Sequence, residues 1–540
     1  MLERLQRRLG LQTIPGIFFT SAAVAIVFVA LAVPFDKQVA NAFGVLTGWV
    51  ARNLGWFYIL SVSSLLIFLF GLAVSRYGSI RLGSDDSRPD YSNLTWFTML
   101  FAAGIGTILM FWGGAEPGSQ FASPPFDGVE SRTEQAATDA MTISLYHFVL
   151  HTWTIFAMPG LAIGYFAYRH DLPMRISSLF YPVLGERAFG PLGWAIDVIA
   201  VLGTLFGVAT SLGLGTLQLN SGLNYLFGVP SNGFVQVVLI TVIASIAAVS
   251  VALGLDNGVR RLSQLNIVLA ITLILFVAAM GPTIFIAEGM VQSIGDYFDA
   301  LPWLAFWTET FKETDWQRQW TLFYWAWTIS WAPYVGIFIA RISRGRTIRE
   351  FVAGVLFAPT AFTLVWFGVF GLSAISVENS GVVDLASQVE QDPSVAIFAF
   401  LEAFPLAEVA SALSVVIIVI FFTTSSDSAS LVIDMLTRRE EQPSLVRQRI
   451  FWAAAQGVVA ATLLLAGGLE ALQNVITSLG LPFCLLLLFM AVSLFRALRA
   501  DYRGYDVTDL VKGRAFPEVE AAESEPKQEN DYVPEAVNRD

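Results

Sequence analysis

A single cysteine, Cys484, occurs in 540 residues, so the chain can form no intramolecular disulfide. Three histidines leave little material for a structural zinc site. Charge is also scarce. Asp, Glu, Lys and Arg make up 14 % of the chain, where a soluble domain carries roughly 25 %. Such a chain cannot cover itself with a polar surface, which excludes an ordinary soluble enzyme. The net charge of −12 argues against a nucleic-acid partner. Long Gly/Ser/Pro-rich linkers, which would separate soluble domains, are missing too. What is abundant is apolar: 55 % of residues are hydrophobic and the mean hydropathy is +0.63. The chain reads as an all-α polytopic membrane protein.

A helix crosses the hydrocarbon with about 20 apolar residues. Twelve candidate spans centre on 15–35, 54–75, 94–115, 140–167, 190–216, 234–254, 265–287, 320–340, 351–376, 406–431, 449–469 and 477–495. They are long and continuous, unlike the short alternating strands of a barrel. Of the 31 Lys and Arg residues, only Lys37, Arg52, Arg132, Lys312 and Arg318 fall on one side of this twelve-span plan, and the other 26 fall opposite. Positive charge marks the cytoplasmic side, so both termini are expected there. Two loops on the opposite side are long. Residues 288–319 carry Trp303, Trp307 and Trp316, and 377–405 hold five acidic side chains and no basic one. Either is read as a solvated loop or as the carrier of an interfacial helix. Residues 501–540 hold eleven acidic and five basic side chains and read as a disordered tail.

Some residues are hard to explain as lipid-facing helix. Span 3 reads WFTMLFAAGIGTILMFWGGAEP, with Gly104 and Gly106 near the bilayer middle. Such glycines either pack helices tightly or let the backbone leave helical geometry and expose carbonyls. Span 10 carries Thr423, Thr424, Ser425, Ser426, Asp427 and Ser428 in an oily run. Hydroxyls there cap backbone carbonyls or supply oxygen ligands to a small hard cation. A carboxylate at that depth, Asp427, is a candidate for an ionic or structural role. Span 8 places Trp327 and Trp331 four residues apart, on one helix face and deeper than an interfacial belt. Phe148, Trp153 and Phe156 of span 4 fall within one broad arc. Taken alone, each aromatic group fits core packing. Together they suit a cavity for a cation without hydrogen-bond donors, each ring face contributing roughly 0.5–2 kcal/mol. His147 and His151, one turn apart, fit interhelical hydrogen bonds better than a metal or a proton relay. Gln218, Asn220 and Ser221 read as the capped end of span 5. RISRGRTIREF, after span 8, suits anionic lipid or the acidic tail and has no phosphate-loop pattern.

The strings FAAGIGTILMFWGGAEP, GVATSLGLGTLQLNSGL, WTLFYWAWTISWAPYVGIFIARISRGRTIREF and FFTTSSDS together resemble the betaine/carnitine/choline transporter family, over about residues 10–500. They look most like its bacterial choline and glycine betaine members. The resemblance implies a twelve-span secondary transporter with two inverted five-helix repeats: 1–90 the N-terminus and peripheral spans 1–2, 91–290 spans 3–7, 291–500 an outer segment and spans 8–12. Spans 3 and 8 would be discontinuous, and alternating access would carry the solute. It implies a bacterial inner-membrane location and a homotrimer. Residue by residue, the aromatic box maps to Phe148, Trp153, Phe156, Trp327 and Trp331, with Gly104 and Gly106 beside it. Thr328 stands where the pattern WAWWxxW has a tryptophan, which removes a ring face and adds a hydroxyl. The sodium site would use Thr424 and Ser425 with the carbonyls of Ala102 and Ile105. Ile108 replaces the third glycine of GxGxG, and no aspartate typical of proton-coupled choline members stands there. Sodium therefore ranks above the proton as coupling ion, and no other cofactor is expected. Choline or glycine betaine is the expected solute. The alternative is another compatible solute, such as carnitine, ectoine or a sulfonium compound. Ser425, Asp427 and the histidines lie on distant segments with no nucleophile motif, so an intramembrane enzyme is not expected.

Overall fold

The computed structural model describes residues 1–511 other than 105–106, 254–255, 313 and 440–443; it also leaves out the side chains of 101–107 and 251–260. Hydrocarbon offers the backbone no water, so each crossing segment satisfies its own N–H and C=O groups as helix. The described residues accordingly form helices, and the pairing of Arg81 with Thr347 is an isolated bridge. In chain order these are α1 (Leu2–Leu9), α2 (Pro15–Ala32), α3 (Asp36–Val74), α4 (Asn93–Gly104), α5 (Thr107–Trp112), α6 (Ala115–Ala122), α7 (Glu134–Phe148) and α8 (Leu150–Arg169). Then come α9 (Tyr181–Leu184), α10 (Pro191–Phe227), α11 (Gly233–Leu253), α12 (Asp256–Met280), α13 (Thr283–Leu304) and α14 (Phe323–Ile342). The last are α15 (Ile348–Ser380), α16 (Leu385–Gln391), α17 (Ala396–Glu402), α18 (Ala407–Thr437), α19 (Val446–Asp501) and α20 (Val507–Val511).

Ten helical segments among the described residues are long and apolar enough to cross a membrane. In the expected third span, α5 and α6 are separated by a turn at 113–114, and 105–106, between α4 and α5, lie outside the described residues. The expected eleventh and twelfth form one run, α19, bent where Gly467 and Gly468 leave helical geometry. Gly468 has φ +59°, a conformation that a side chain disfavours. The expected eighth span has no midplane break. Its helix, α14, runs unbroken through Pro333, preceded by a π-helical turn at Arg318–Leu322. Span 5 also differs from expectation. Its helix, α10, continues to Phe227, and Gln218 caps nothing; its Nε2 donates to Met110 O of α5 at 3.0 Å. The long 288–319 loop is in large part helical, since α13 runs through Leu304 and exposes Ile284, Phe285, Val291 and Phe298.

The basic loops gather at one end. Leu82 N donates to Arg346 O and Gly345 N to Leu82 O, both at 2.8 Å. Arg169 pairs with Asp501 at 2.5 Å and with Asp85 at 2.7 Å. Ile14 N donates to Thr437 O at 2.8 Å, and Arg341 Nη1 lies 3.8 Å from Met435 Sδ. This end is called the basic side below. There Arg346 lies 3.8 Å over the Trp96 ring, and burial lowers its pKa from the ordinary value, with Glu350 opposing. At the far side, Arg132 pairs with Glu378 at 2.6 Å and Lys312 with Asp127 at 2.8 Å.

Helices α8 and α14 pack through small residues spaced by one turn: Gly160 and Gly164 on α8, Gly336 and Ala340 on α14. A methyl group on Gly336 would meet Pro159 at 3.0 Å, and one on Gly160 would meet Ile339 at 3.3 Å. Close backbone approach of this kind is what small residues contribute between helices in lipid. Gly336→Leu should therefore lower the unfolding midpoint of detergent-purified protein, with an overpacking cost of about 1–3 kcal/mol. Gly71→Ala, where nothing lies within 4 Å, should leave it unchanged or raise it slightly. Equal midpoints for the two variants would contradict the close-contact account.

Candidate functional site

The α8–α14 contact brings the aromatic candidates to one cavity of about 440 Å³. Phe148, Trp153 and Phe156 line it from one wall, and Trp327, Thr328 and Trp331 from another. Thr424 and Ser425 of α18 and Ile108 and Leu109 of α5 complete the same space. The wall carrying Phe148 is not one regular helix. Val149, at φ −99° and ψ −117°, separates α7 from α8, and the Thr152 hydroxyl donates to His147 O at 2.6 Å across the step. The side-chain hydroxyl thus satisfies a carbonyl that the interrupted ladder leaves free.

The rings are held in place by specific contacts. Trp327 Nε1 donates to Ser211 Oγ of α10 at 3.0 Å, and its ring stacks on Phe323 at 5.5 Å and 19°. Trp153 meets Phe156 at 5.5 Å and 67°. Trp331 meets Tyr334 at 5.5 Å and 79°. The Thr328 hydroxyl donates to Tyr324 O at 2.8 Å, so its oxygen faces the cavity as an acceptor only. Among the described lining residues none is Asp or Glu, and the one formally charged group is Arg341. A cation there would be attracted by ring faces and dipoles, not by a carboxylate.

The lining reaches Ser263 and Asn266 of α12 and the exposed Arg341, so the cavity extends toward the basic side. In the other direction it ends on Phe148. That ring packs on Tyr324 at 4.7 Å and on Phe367 at 4.9 Å, and Tyr324 packs on Trp112 at 5.3 Å and Trp320 at 6.1 Å. A plug of buried rings thus separates it from the far side.

The remaining candidates divide. Thr424 Oγ1 donates to Ile420 O and Phe421 O, both at 3.0 Å, which leaves its oxygen lone pairs available. Ile105 and Gly106 lie outside the described residues, as do the side chains of Ala102 and Gly104, which end α4. Asp427 lies 3.7 Å from Arg449 at the start of α19, an ionic contact between α18 and its successor. His151 stacks on Trp325 at 5.1 Å and 11°, with Nε2 3.4 Å from Ser63 Oγ. His147 makes the expected interhelical bonds, but one of them is to Glu116, at 2.6 Å, with both side chains fully buried. Sequence reasoning passed over Glu116. Its signal was a carboxylate inside the apolar string FWGGAEP. Ser211, the partner of Trp327, was also missed, because a serine in a helix carries no distinguishing pattern. Among the described residues no cluster of three or more His, Cys, Asp or Glu could hold a metal.

The family model for betaine/carnitine/choline family transporters matches residues 16–503. The chain is 44 % identical over 498 residues to an ectoine/glycine betaine/proline transporter of Corynebacterium glutamicum, covering 91 % of this chain and 81 % of that protein. It is 45 % identical over 492 residues to a glycine betaine transporter of Acinetobacter baylyi (90 % and 74 %). It is 40 % identical over 494 residues to the high-affinity choline transport protein of Escherichia coli K12 (91 % and 73 %).

The single native cysteine is 1 % exposed, so introduced cysteines can be read against a silent background. Ser263→Cys and Ser425→Cys should react with a membrane-impermeant maleimide applied from the basic side and resist it from the far side. Equal labelling from both sides would contradict the one-sided opening.

Proposed function

The chain belongs to the betaine/carnitine/choline family of transporters, and from that premise we propose that it takes up choline or glycine betaine by ion-coupled alternating access. The observation that carries the reading is the convergence of Phe148, Trp153, Phe156, Trp327 and Trp331 on one cavity beside Thr424 and Ser425. Trimethylammonium has no donors and spreads its charge over methyl groups, so several ring faces offset part of its dehydration. Gly104 and Gly106 would let the backbone beside the box approach the solute.

Coupling would use sodium, held by the hydroxyls of Thr424 and Ser425 with the carbonyls of Ala102 and Ile105. Sodium bound more tightly in one orientation than the other shifts the equilibrium between the two states. Asp427, paired with Arg449, would hold α18 to α19 beside that site.

The proposed topology has twelve spans, with α4–α6 together as the third and α19 as the last two. Residues 1–90 lie outside the core, 91–290 and 291–500 form inverted repeats, and 501–540 is a cytoplasmic tail. The basic side is then cytoplasmic, as the distribution of Lys and Arg supports, and the cavity opens inward. The protein would sit in the bacterial inner membrane as a homotrimer in contact with lipid.

A second reading, transport of a zwitterion such as ectoine, carnitine or a sulfonium solute, is favoured by Thr328 in place of a ring and by Arg341 at the cavity mouth. A carboxylate finds a cation there that choline does not need.

Uptake in proteoliposomes, with sodium and proton gradients set independently and a panel of solutes, tests both readings. Trp327→Ala and Trp331→Ala are each expected to raise the half-saturating solute concentration about 5-fold or more, the loss of roughly 1 kcal/mol. Thr424→Ala combined with Ser425→Ala should weaken sodium activation. Unchanged solute affinity in both tryptophan variants overturns the aromatic site, and unchanged sodium activation moves the coupling site elsewhere.

A further inference from the structure

The hydrogen-bonding groups of the cavity carry information that its rings do not. Five of the hydroxyls that line it, on Thr152, Ser211, Thr328, Thr363 and Thr424, already give their hydrogen to a backbone carbonyl. A hydroxyl has one hydrogen, so toward a solute each of these oxygens acts as an acceptor. The Trp327 N–H is spent as well, on Ser211 Oγ at 3.0 Å.

Thr328 is the acceptor set among the rings. It is 4 % exposed, follows Trp327 directly, and donates to Tyr324 O at 2.8 Å. Trp331 stands three residues on along α14, so the two are neighbours on the helix surface, with about 5–6 Å between Cβ atoms. The Trp331 indole N–H is buried without a partner among the described residues. One acceptor and one unspent donor thus lie side by side in the wall that carries Trp327.

We propose that Thr328 and Trp331 form a hydroxyl subsite, which makes an ammonium alcohol such as choline the preferred solute over glycine betaine. The inference rests on the aromatic reading of the cavity and narrows the solute class that those rings admit.

The match follows from donor and acceptor counting. A hydroxyl gives its hydrogen to Thr328 Oγ1 and takes one from Trp331 Nε1 on a lone pair. A carboxylate has lone pairs only, so it suits the indole N–H and meets the Thr328 oxygen as a like dipole. A methyl group suits neither. A hydroxyl brought into a dry cavity without a partner is costly, so a choline hydroxyl gains by finding one there. The gain is modest. Thr328 Oγ1 keeps its bond to Tyr324 O whether or not a solute is present, so a solute without a hydroxyl does not orphan it. The expected preference is about 3–10-fold, the worth of one neutral hydrogen bond, far below that of a site whose polar groups are all left unpaired by the wrong solute.

The lining cation does not reverse this order. Arg341 is exposed and lies ten residues along α14 from Trp331, roughly 15 Å toward the mouth at 1.5 Å per residue. Glycine betaine separates its two charges by one methylene, which does not span that distance while its ammonium sits among the rings. Arg341 therefore acts on a carboxylate at the mouth, before or after the ring-bound state.

Isothermal titration of the full-length protein in detergent, at fixed sodium, tests the subsite without a transport assay. The probes are choline, glycine betaine and ethyltrimethylammonium, which is choline without its hydroxyl. The wild-type protein should bind choline about 3–10-fold more tightly than either of the others. Thr328→Val, close in shape but without the acceptor, should bring the ratio of choline to ethyltrimethylammonium affinity to about one. Thr328→Ser, which keeps the acceptor, should retain the wild-type ratio. A wild-type ratio of one or less overturns the inference, as does tighter binding of glycine betaine than of choline. A Thr328→Val protein that keeps the wild-type ratio, or a Thr328→Ser protein that loses it, overturns it too. Binding of none of the three would bring down the aromatic reading itself, whereas equal binding of all three leaves that reading in place and removes the hydroxyl subsite alone.

Discussion

The close approach of α8 and α14 is the contact on which the site depends. Gly160 and Gly164 face Gly336 and Ala340, and the backbones come near enough that a methyl group on Gly336 would touch Pro159. Between oily helices in lipid there is no hydrophobic force to pull them together, so packing of this kind supplies the association. Two turns from that contact, Trp153 and Phe156 meet Trp327 and Trp331 around a shared space. Separating the helices by one side chain would open the box and leave the indoles without their neighbours. Ser211, reaching Trp327 from α10, fixes the third side of the arrangement.

The polar groups are distributed by the same economy of burial. Two of those inside the cavity are hydroxyls already bonded to carbonyls of their own helices, Thr328 and Thr424. They present oxygen acceptors without adding charge. Full charges sit at the ends, paired: Arg169 with Asp501 at the basic side, Arg132 with Glu378 at the far side. Glu116 with His147 is a pair that lies deeper, with both side chains fully buried. Tyr324 touches both that pair and the aromatic plug, packing on His147 and on Phe148.

Much of the site was legible in the sequence because it lies on helices. Trp327 and Trp331 share a face by spacing alone, and the hydroxyl run of α18 is conspicuous in an oily helix. The resemblance to a known family supplied the roles. Less visible were features that depend on partners distant in sequence. The divided α7–α8 wall turns on one non-helical residue, Val149, which no pattern marks. Gln218 looked like a cap and instead reaches α5, because the helix continues where its composition becomes more polar. The resemblance implied a break in span 8, yet α14 stays helical through Pro333, since a proline removes only one ladder bond.

The sequence by itself determined the class of the molecule: apolar runs of about 20 residues must become helices in hydrocarbon, and the placement of Lys and Arg sorts their ends into two sides. Both follow from local composition, which needs no knowledge of what touches what. Tertiary structure alone decided that five rings from two walls face one cavity, that this cavity extends toward the basic side, and that a carboxylate and an imidazole 31 residues apart share a buried site. Those facts depend on the rotation and offset of one helix against another, set by side chains hundreds of residues apart.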